Sequence, residues 1–140
     1  MRFAREPGAQ GLVEFALILP VILLVVSGLF DLARAVWQEN TLAFATREGS
    51  RYAIVHGSAS TAPTGPPPLS DQPITDTVLR YTVGLSNITV TTAWPDGNND
   101  RNSRVSVDAT APFVPIPSYY LLGGAFQITL RGGSMLVIQR

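Results

Sequence analysis

The residues Asp96-Gly97-Asn98-Asn99-Asp100 offer side-chain oxygens at alternating positions, the arrangement by which a calcium loop collects hard ligands. The rest of that pattern is missing. Arg101 stands sixth, where the turn needs glycine, and Val107 stands twelfth, where the ion needs a bidentate acid. The stretch therefore reads as a turn in which Asn and Gly accept positive φ. His56 is the one histidine, cysteine is absent, and neither an HExxH pair nor a glycine-rich phosphate loop occurs. A nucleophile with its base, a thiolate metal site and a phosphate cradle thus lack raw material, so catalytic, metal and cofactor residues are all expected to be none. His56 closes a helical run, where it caps carbonyls or stays solvated. Asn87-Ile88-Thr89 is a formal glycosylation sequon, a tripeptide that chance supplies often. Ten arginines and ten acids, with no lysine, sum to zero and are spread along the chain, which excludes a nucleic-acid surface.

The remaining candidate is Glu14, a carboxylate inside an apolar run, where its chemistry is recognition rather than turnover. Leu12 to Phe30 covers nineteen positions and Glu14 is its one charge. At about 1.5 Å per residue such a helix covers roughly 28 Å, the hydrocarbon thickness of a bilayer. Every face is apolar, so lipid is its natural solvent. A cleaved signal peptide would have an apolar centre of about 7 to 15 residues and a small-x-small exit site. Here Asp31-Leu32-Ala33-Arg34-Ala35 follows, and the segment is read as a retained anchor. Arg2 and Arg5 precede the span against Glu6, while Asp31 and Arg34 neutralise one another at i, i+3, so the amino terminus is expected inside and the bulk of the chain outside. A carboxylate at mid-membrane costs about 2.5 to 3.5 kcal/mol, less near the interface and at a helix's first turn. Glu14 then either accepts free helix N–H groups or pairs with a cation on another chain.

The helical pattern continues to Val55, with Leu42, Ala45, Gly49, Tyr52 and His56 at three- and four-residue intervals. Pro20 removes one helix hydrogen bond, so a bend or local unwinding is expected near Ala16 to Pro20. Ala45, Gly49 and Ala53 form a small-residue row that lets another backbone approach. The domain's own sheet is the favoured partner, because a small domain needs the burial; a neighbouring subunit is the alternative. Arg47, Glu48 and Arg51 read as a solvated face.

Gln10-Gly11-Leu12-Val13-Glu14-Phe15-Ala16-Leu17, then Leu19-Pro20, Gly28-Leu29-Phe30-Asp31 and Arg34, and finally Thr46-Arg47-Glu48-Gly49-Ser50-Arg51-Tyr52-Ala53, resemble the amino-terminal helix of TadE/TadG-like minor pseudopilins of the bacterial tight-adherence (Tad) pilus system. The resemblance covers roughly residues 8–55. Phe15, Asp31, Arg34, Arg47, Glu48, Arg51 and Tyr52 carry its signature. It implies a prepilin-like protein whose basic leader is cut by a prepilin peptidase, with glutamate fifth in the mature chain after a glycine. Counting back from Glu14 places the cut between Ala9 and Gln10, with alanine in place of that glycine; cuts after Gly8 or Gly11 make Glu14 sixth or third.

Five segments follow: a cytoplasmic leader at 1–11, the span at 12–35, the outer half of the helix at 36–56, a Pro-rich linker at 57–73 and a small sheet domain at 74–140. Gly65-Pro66-Pro67-Pro68 reads as extended polyproline. A short helix is expected over Thr75 to Val83, with Asp76 near its start and Val78, Leu79 and Tyr81 packing. Ile88, Val90, Thr92 and Trp94 alternate against Val105, Val107, Ala109 and Ala111 as one hairpin. Phe126, Ile128 and Leu130 open another that turns at Arg131-Gly132-Gly133-Ser134 and returns through Met135 to Ile138. Phe113, Tyr119 and Tyr120, among Pro112, Pro115 and Pro117, are either an exposed sticky patch or the edge of the core, and the core edge is favoured. The fold class is α+β: a long transmembrane helix running into a small, mainly antiparallel sheet domain, as in pilins.

The leading functional expectation is a single-pass protein of the cell membrane that packs beside other pilin or pseudopilin subunits and Tad machinery. Glu14 and Pro20, with Ala45, Gly49 and Ala53, are its register and packing candidates; lipid is the other partner. The rival is a membrane-tethered binding or adhesion module whose helix only anchors.

Overall fold

The computed structural model describes the backbone of residues 7–139 and side chains from residue 10 onward. Arg2, Arg5 and Glu6, on which the orientation argument rests, lie outside the described residues, as does the Ala9 side chain. The elements are α1 (Pro7–Val55), α2 (Gln72–Tyr81), β1 (Thr89–Ala93), β2 (Arg104–Phe113), α3 (Ile116–Leu122) and β3 (Ile128–Val137). They form two compact units. One takes α1 through Arg34 together with Val114–Phe126, and the other takes Ala35–Phe113 with the chain from Gln127 onward. The α+β class expected from the periodicities is the one observed.

Within the described residues α1 runs without a break from Pro7 to Val55. It stays helical across Pro20, so the unwinding expected near that residue does not occur. In the second unit β1, β2 and β3 form an antiparallel sheet in that order. The alternation along β2 buries Val105, Val107, Ala109, Ala111 and Phe113. Leu42, Ala45 and Ala53 of α1, Ile74 and Val78 of α2, and Ile138 complete this core. The first hairpin has the expected strands, with Val90 opposite Ala109 and Thr92 opposite Val107.

The second hairpin does not exist. β3 runs straight through Gly132 and Gly133, pairing with β2 from Ile128 opposite Phe113 to Val137 opposite Arg104. Gly132 is required by proximity rather than by a turn: a Cβ there would lie 2.4 Å from the Leu42 carbonyl carbon and 2.5 Å from the Ala43 nitrogen, both backbone atoms of α1. A glycine inside a strand marks either a turn or a close approach, and pattern alone does not separate the two.

Helix α2 begins at Gln72, three residues earlier than expected, with Pro73 in its second position and Ile74 and Val78 as its buried pair. Of the other two residues expected to pack, Tyr81 sets its ring edge-on against Phe44 with centres 5.6 Å apart, and both Leu79 and Tyr81 remain partly open to solvent. The Pro-rich segment is held rather than free. Thr64 donates its amide to the His56 carbonyl at 2.7 Å, Asn99 Nδ2 donates to the Thr64 carbonyl at 3.0 Å, and the Ser58 amide donates to the Asn99 carbonyl at 3.0 Å. Asn99, read above as a turn residue, is therefore a buried clasp between the linker and the β1–β2 loop.

The same loop uses its carboxylate internally. Asp96 accepts from the Arg104 guanidinium at 2.7 and 3.1 Å and from the Arg104 amide at 2.8 Å. These hydrogen bonds, side chain first and backbone second, pull the Asp96 pKa from 3.8 to about 2. Because the folded form binds this proton more weakly than the unfolded chain, the loop's support is complete above pH ~4 and fades as pH falls through about 2. A carboxyl-carbon NMR titration of Asp96 should show that midpoint, and Arg104→Ala should return it towards an ordinary aspartate.

Candidate functional site

No part of the most apolar stretch of α1 is buried within the protein. Leu12, Phe15, Leu17, Val21, Val25 and Leu29 are all exposed, as a helix solvated by lipid requires. Glu14 sits two turns inside α1 rather than in its first turn, because the helix starts at Pro7. The amides around it are already engaged within the helix, so the capping role open in the sequence is not available. Its carboxylate instead accepts from Gln10 Nε2 at 3.0 Å, one helical turn earlier. Ala9 and Gln10, the processing candidates, are both helical. Pro20 lies mid-helix and shares a groove with Leu23, Leu24 and residues of α3.

Asp31 and Arg34 form the expected i, i+3 pair at 3.1 Å, and they also do something the sequence did not announce. Asp31 is 6% exposed and accepts the Ile116 amide through Oδ2 at 2.6 Å; Arg34 donates to the Val114 carbonyl at 2.5 Å. The pair clamps the entry of α3, a helix absent from the expectations. Prolines at 112, 115 and 117 had masked it, although Pro117 is compatible with a first turn. Its closing side is held by Ser118, whose hydroxyl donates to the Phe126 carbonyl at 2.8 Å and accepts its amide at 3.0 Å. Tyr119 and Tyr120, assigned above to the core edge, are instead exposed, while Phe113 is buried. The reason is local: α3 has one turn's worth of inward positions, and Ser118 takes the buried one.

The small-residue row is occupied within its own unit. Ala45 and Ala53 are buried, and a Cβ on Gly49 would meet Val78 Cγ2 at 2.5 Å, Val107 at 3.4 Å and Ile74 at 3.6 Å. The approach that these residues permit is thus made by α2 and β2. Of the signature residues beyond Arg34, Glu48 and Arg51 pair at 3.2 Å, Arg47 is exposed, and Tyr52 stacks on His56 with ring centres 3.9 Å apart. His56 Nδ1 lies 2.8 Å from the Tyr52 carbonyl, the helix-end role expected of it. Among the described residues no cluster of His, Cys, Asp or Glu could hold a metal ion.

Residues 9–51 match the family model described as TadE-like protein, which covers the apolar half of α1 and the polar signature after it. The resemblance read from the sequence is thereby matched, and it points to a Tad pilus-associated protein of a structural or accessory kind. No curated protein and no solved structure matches the chain.

Proposed function

We propose that this TadE-like chain is a membrane-held minor pseudopilin that takes part in assembling or priming a Tad-type pilus by lateral packing of its helix. One observation carries the reading: the TadE-like match lies on a helix whose most apolar stretch has no buried residue, whereas its second half is buried against the chain's own sheet. The uncovered half is stored in lipid and later traded to sister helices. The amino terminus stays inside and the sheet domain outside. A prepilin peptidase cut between Ala9 and Gln10 makes Glu14 fifth, and Glu14 sets axial register by pairing with a cation of a neighbouring subunit.

Register selection by a buried polar group makes a specific demand. Glu14→Gln keeps shape and the Gln10 contact but removes the charge, so surface pili should fall about tenfold or more, the equivalent of about 1.4 kcal/mol, while the protein stays in the membrane at its usual level. Unchanged piliation would sink the register role. Mass spectrometry of the mature amino terminus reads the cut directly, and full piliation with a polyleucine span would favour the tethered-module rival.

A further inference from the structure

From Ala109 to Leu130 the chain carries no charged residue. In the middle of that stretch Tyr119, Tyr120, Leu121, Leu122 and Phe126 are each more than half exposed. A contiguous apolar patch of this kind marks an interaction surface. Its position identifies the occupant. α3 shares a groove with the span, in which Pro117, Tyr120 and Leu121 face Pro20, Leu23 and Leu24. Leu23 and Leu24 lie six to seven residues before Phe30, or about 10 Å inside the hydrocarbon by helix rise. Side chains that reach them from α3 share that depth.

Irregular backbone tolerates such a depth only if its polar groups are satisfied. The following groups of this segment are. Pro115 and Pro117 have no N–H to satisfy, and the Ile116 amide goes to Asp31. The Tyr119 amide goes to the Pro115 carbonyl, the Gly124 amide to the Ser118 carbonyl and the Ala125 amide to the Leu122 carbonyl. The Phe126 amide goes to the Ser118 hydroxyl, and the Val114 carbonyl accepts from Arg34.

We propose that α3 is a second membrane-contacting element, with Tyr119, Tyr120, Leu121 and Leu122 set among the lipids of the leaflet through which the span leaves the bilayer. It rests on the reading of residues 12–30 as a span. The leucines suit the acyl chains, and a tyrosine ring lies among them with its hydroxyl reaching back towards the wet boundary. The protein is then held by a helix and a wedge, which fixes the rotation of the span in the bilayer as well as its depth.

The chain has no native cysteine, so single cysteines report cleanly. Full-length Tyr120→Cys, Leu121→Cys, Val25→Cys and Met135→Cys, each carrying a nitroxide, are reconstituted in phosphatidylcholine vesicles and probed with oxygen and with a water-soluble nickel chelate. Positions 120 and 121 should match Val25, with an oxygen-to-nickel accessibility ratio at least about tenfold above that of Met135 on β3. Ratios like that of Met135 overturn the proposal, and so does shielding from both reagents, which would mean that protein covers the patch. If Val25 itself is open to nickel, the span reading has failed first. Leu122→Cys repeats the test should a label at 121 displace α3.

Discussion

Replacing Gly132 by alanine is expected to cost the sheet unit about 3 kcal/mol or more, although alanine is no worse a strand residue than glycine. The added Cβ would stand 2.4 Å from the Leu42 carbonyl carbon, 2.5 Å from the Ala43 nitrogen and 2.8 Å from the Leu42 oxygen. These are backbone atoms of a helix, so no side-chain rotation relieves the overlap; α1 and β3 must separate. Separation loosens Leu42, Ala45, Val107 and Ala109 together, all of which are fully buried. Small domains have only about 5–15 kcal/mol in total, so the loss is a large share. Gly133→Ala is the control on the same strand, because its Cβ would meet the Asp108 carboxylate oxygen at 2.6 Å, a movable side-chain end. Amide exchange at Val107 should accelerate about a hundredfold in Gly132→Ala and far less in Gly133→Ala. Equal effects would show that the approach of α1 is not what Gly132 serves.

Asp31→Ala should free the entry of α3 at a cost of about 2 kcal/mol, with the Ile116 amide exchanging roughly thirtyfold faster in detergent micelles. The carboxylate accepts that amide at 2.6 Å and balances Arg34 at 3.1 Å, so its removal leaves the Ile116 amide without its acceptor and takes the counter-charge from the half-buried Arg34 guanidinium. The figure is kept below that of a fully buried pair because the Arg34 side chain is 40% exposed. Asp31→Asn, which keeps an acceptor without the charge, should fall between. Unaltered exchange at Ile116 in Asp31→Ala would show that α3 is held by its apolar contacts instead. If α3 is a lipid wedge, this variant also weakens it, since the segment then carries a free amide into the bilayer boundary.

The reach of the sequence differs from element to element for physical reasons. The apolar helix and its continuation were legible because helix periodicity and a bilayer-length apolar run are local properties of consecutive residues. The β1–β2 hairpin was legible because period-two alternation with one face buried leaves a single register that works. Gly132-Gly133 was misread because glycine signals both turns and close approaches. The choice lay with Leu42 and Ala43, some ninety positions earlier. The clasp at Asn99 and the clamp at Asp31 were hidden for the same reason: each carboxylate or amide has a plausible local partner, and its distant partner is a backbone atom that any residue type provides.

Among the candidate residues, the sequence by itself determined that Glu14 is the lone charge in the apolar run from Leu12 to Phe30 and that the row at 45, 49 and 53 permits close packing. Only the tertiary structure decided what fills that row, and it is α2 and β2 of the same chain, since a Val78 methyl already occupies the space above Gly49. It alone decided that Tyr119 and Tyr120 face outward beside the span. Patterning along a chain fixes which surfaces are apolar, whereas which of them meet depends on chain closure over long separations, and that is settled by steric fit and by the satisfaction of backbone polar groups.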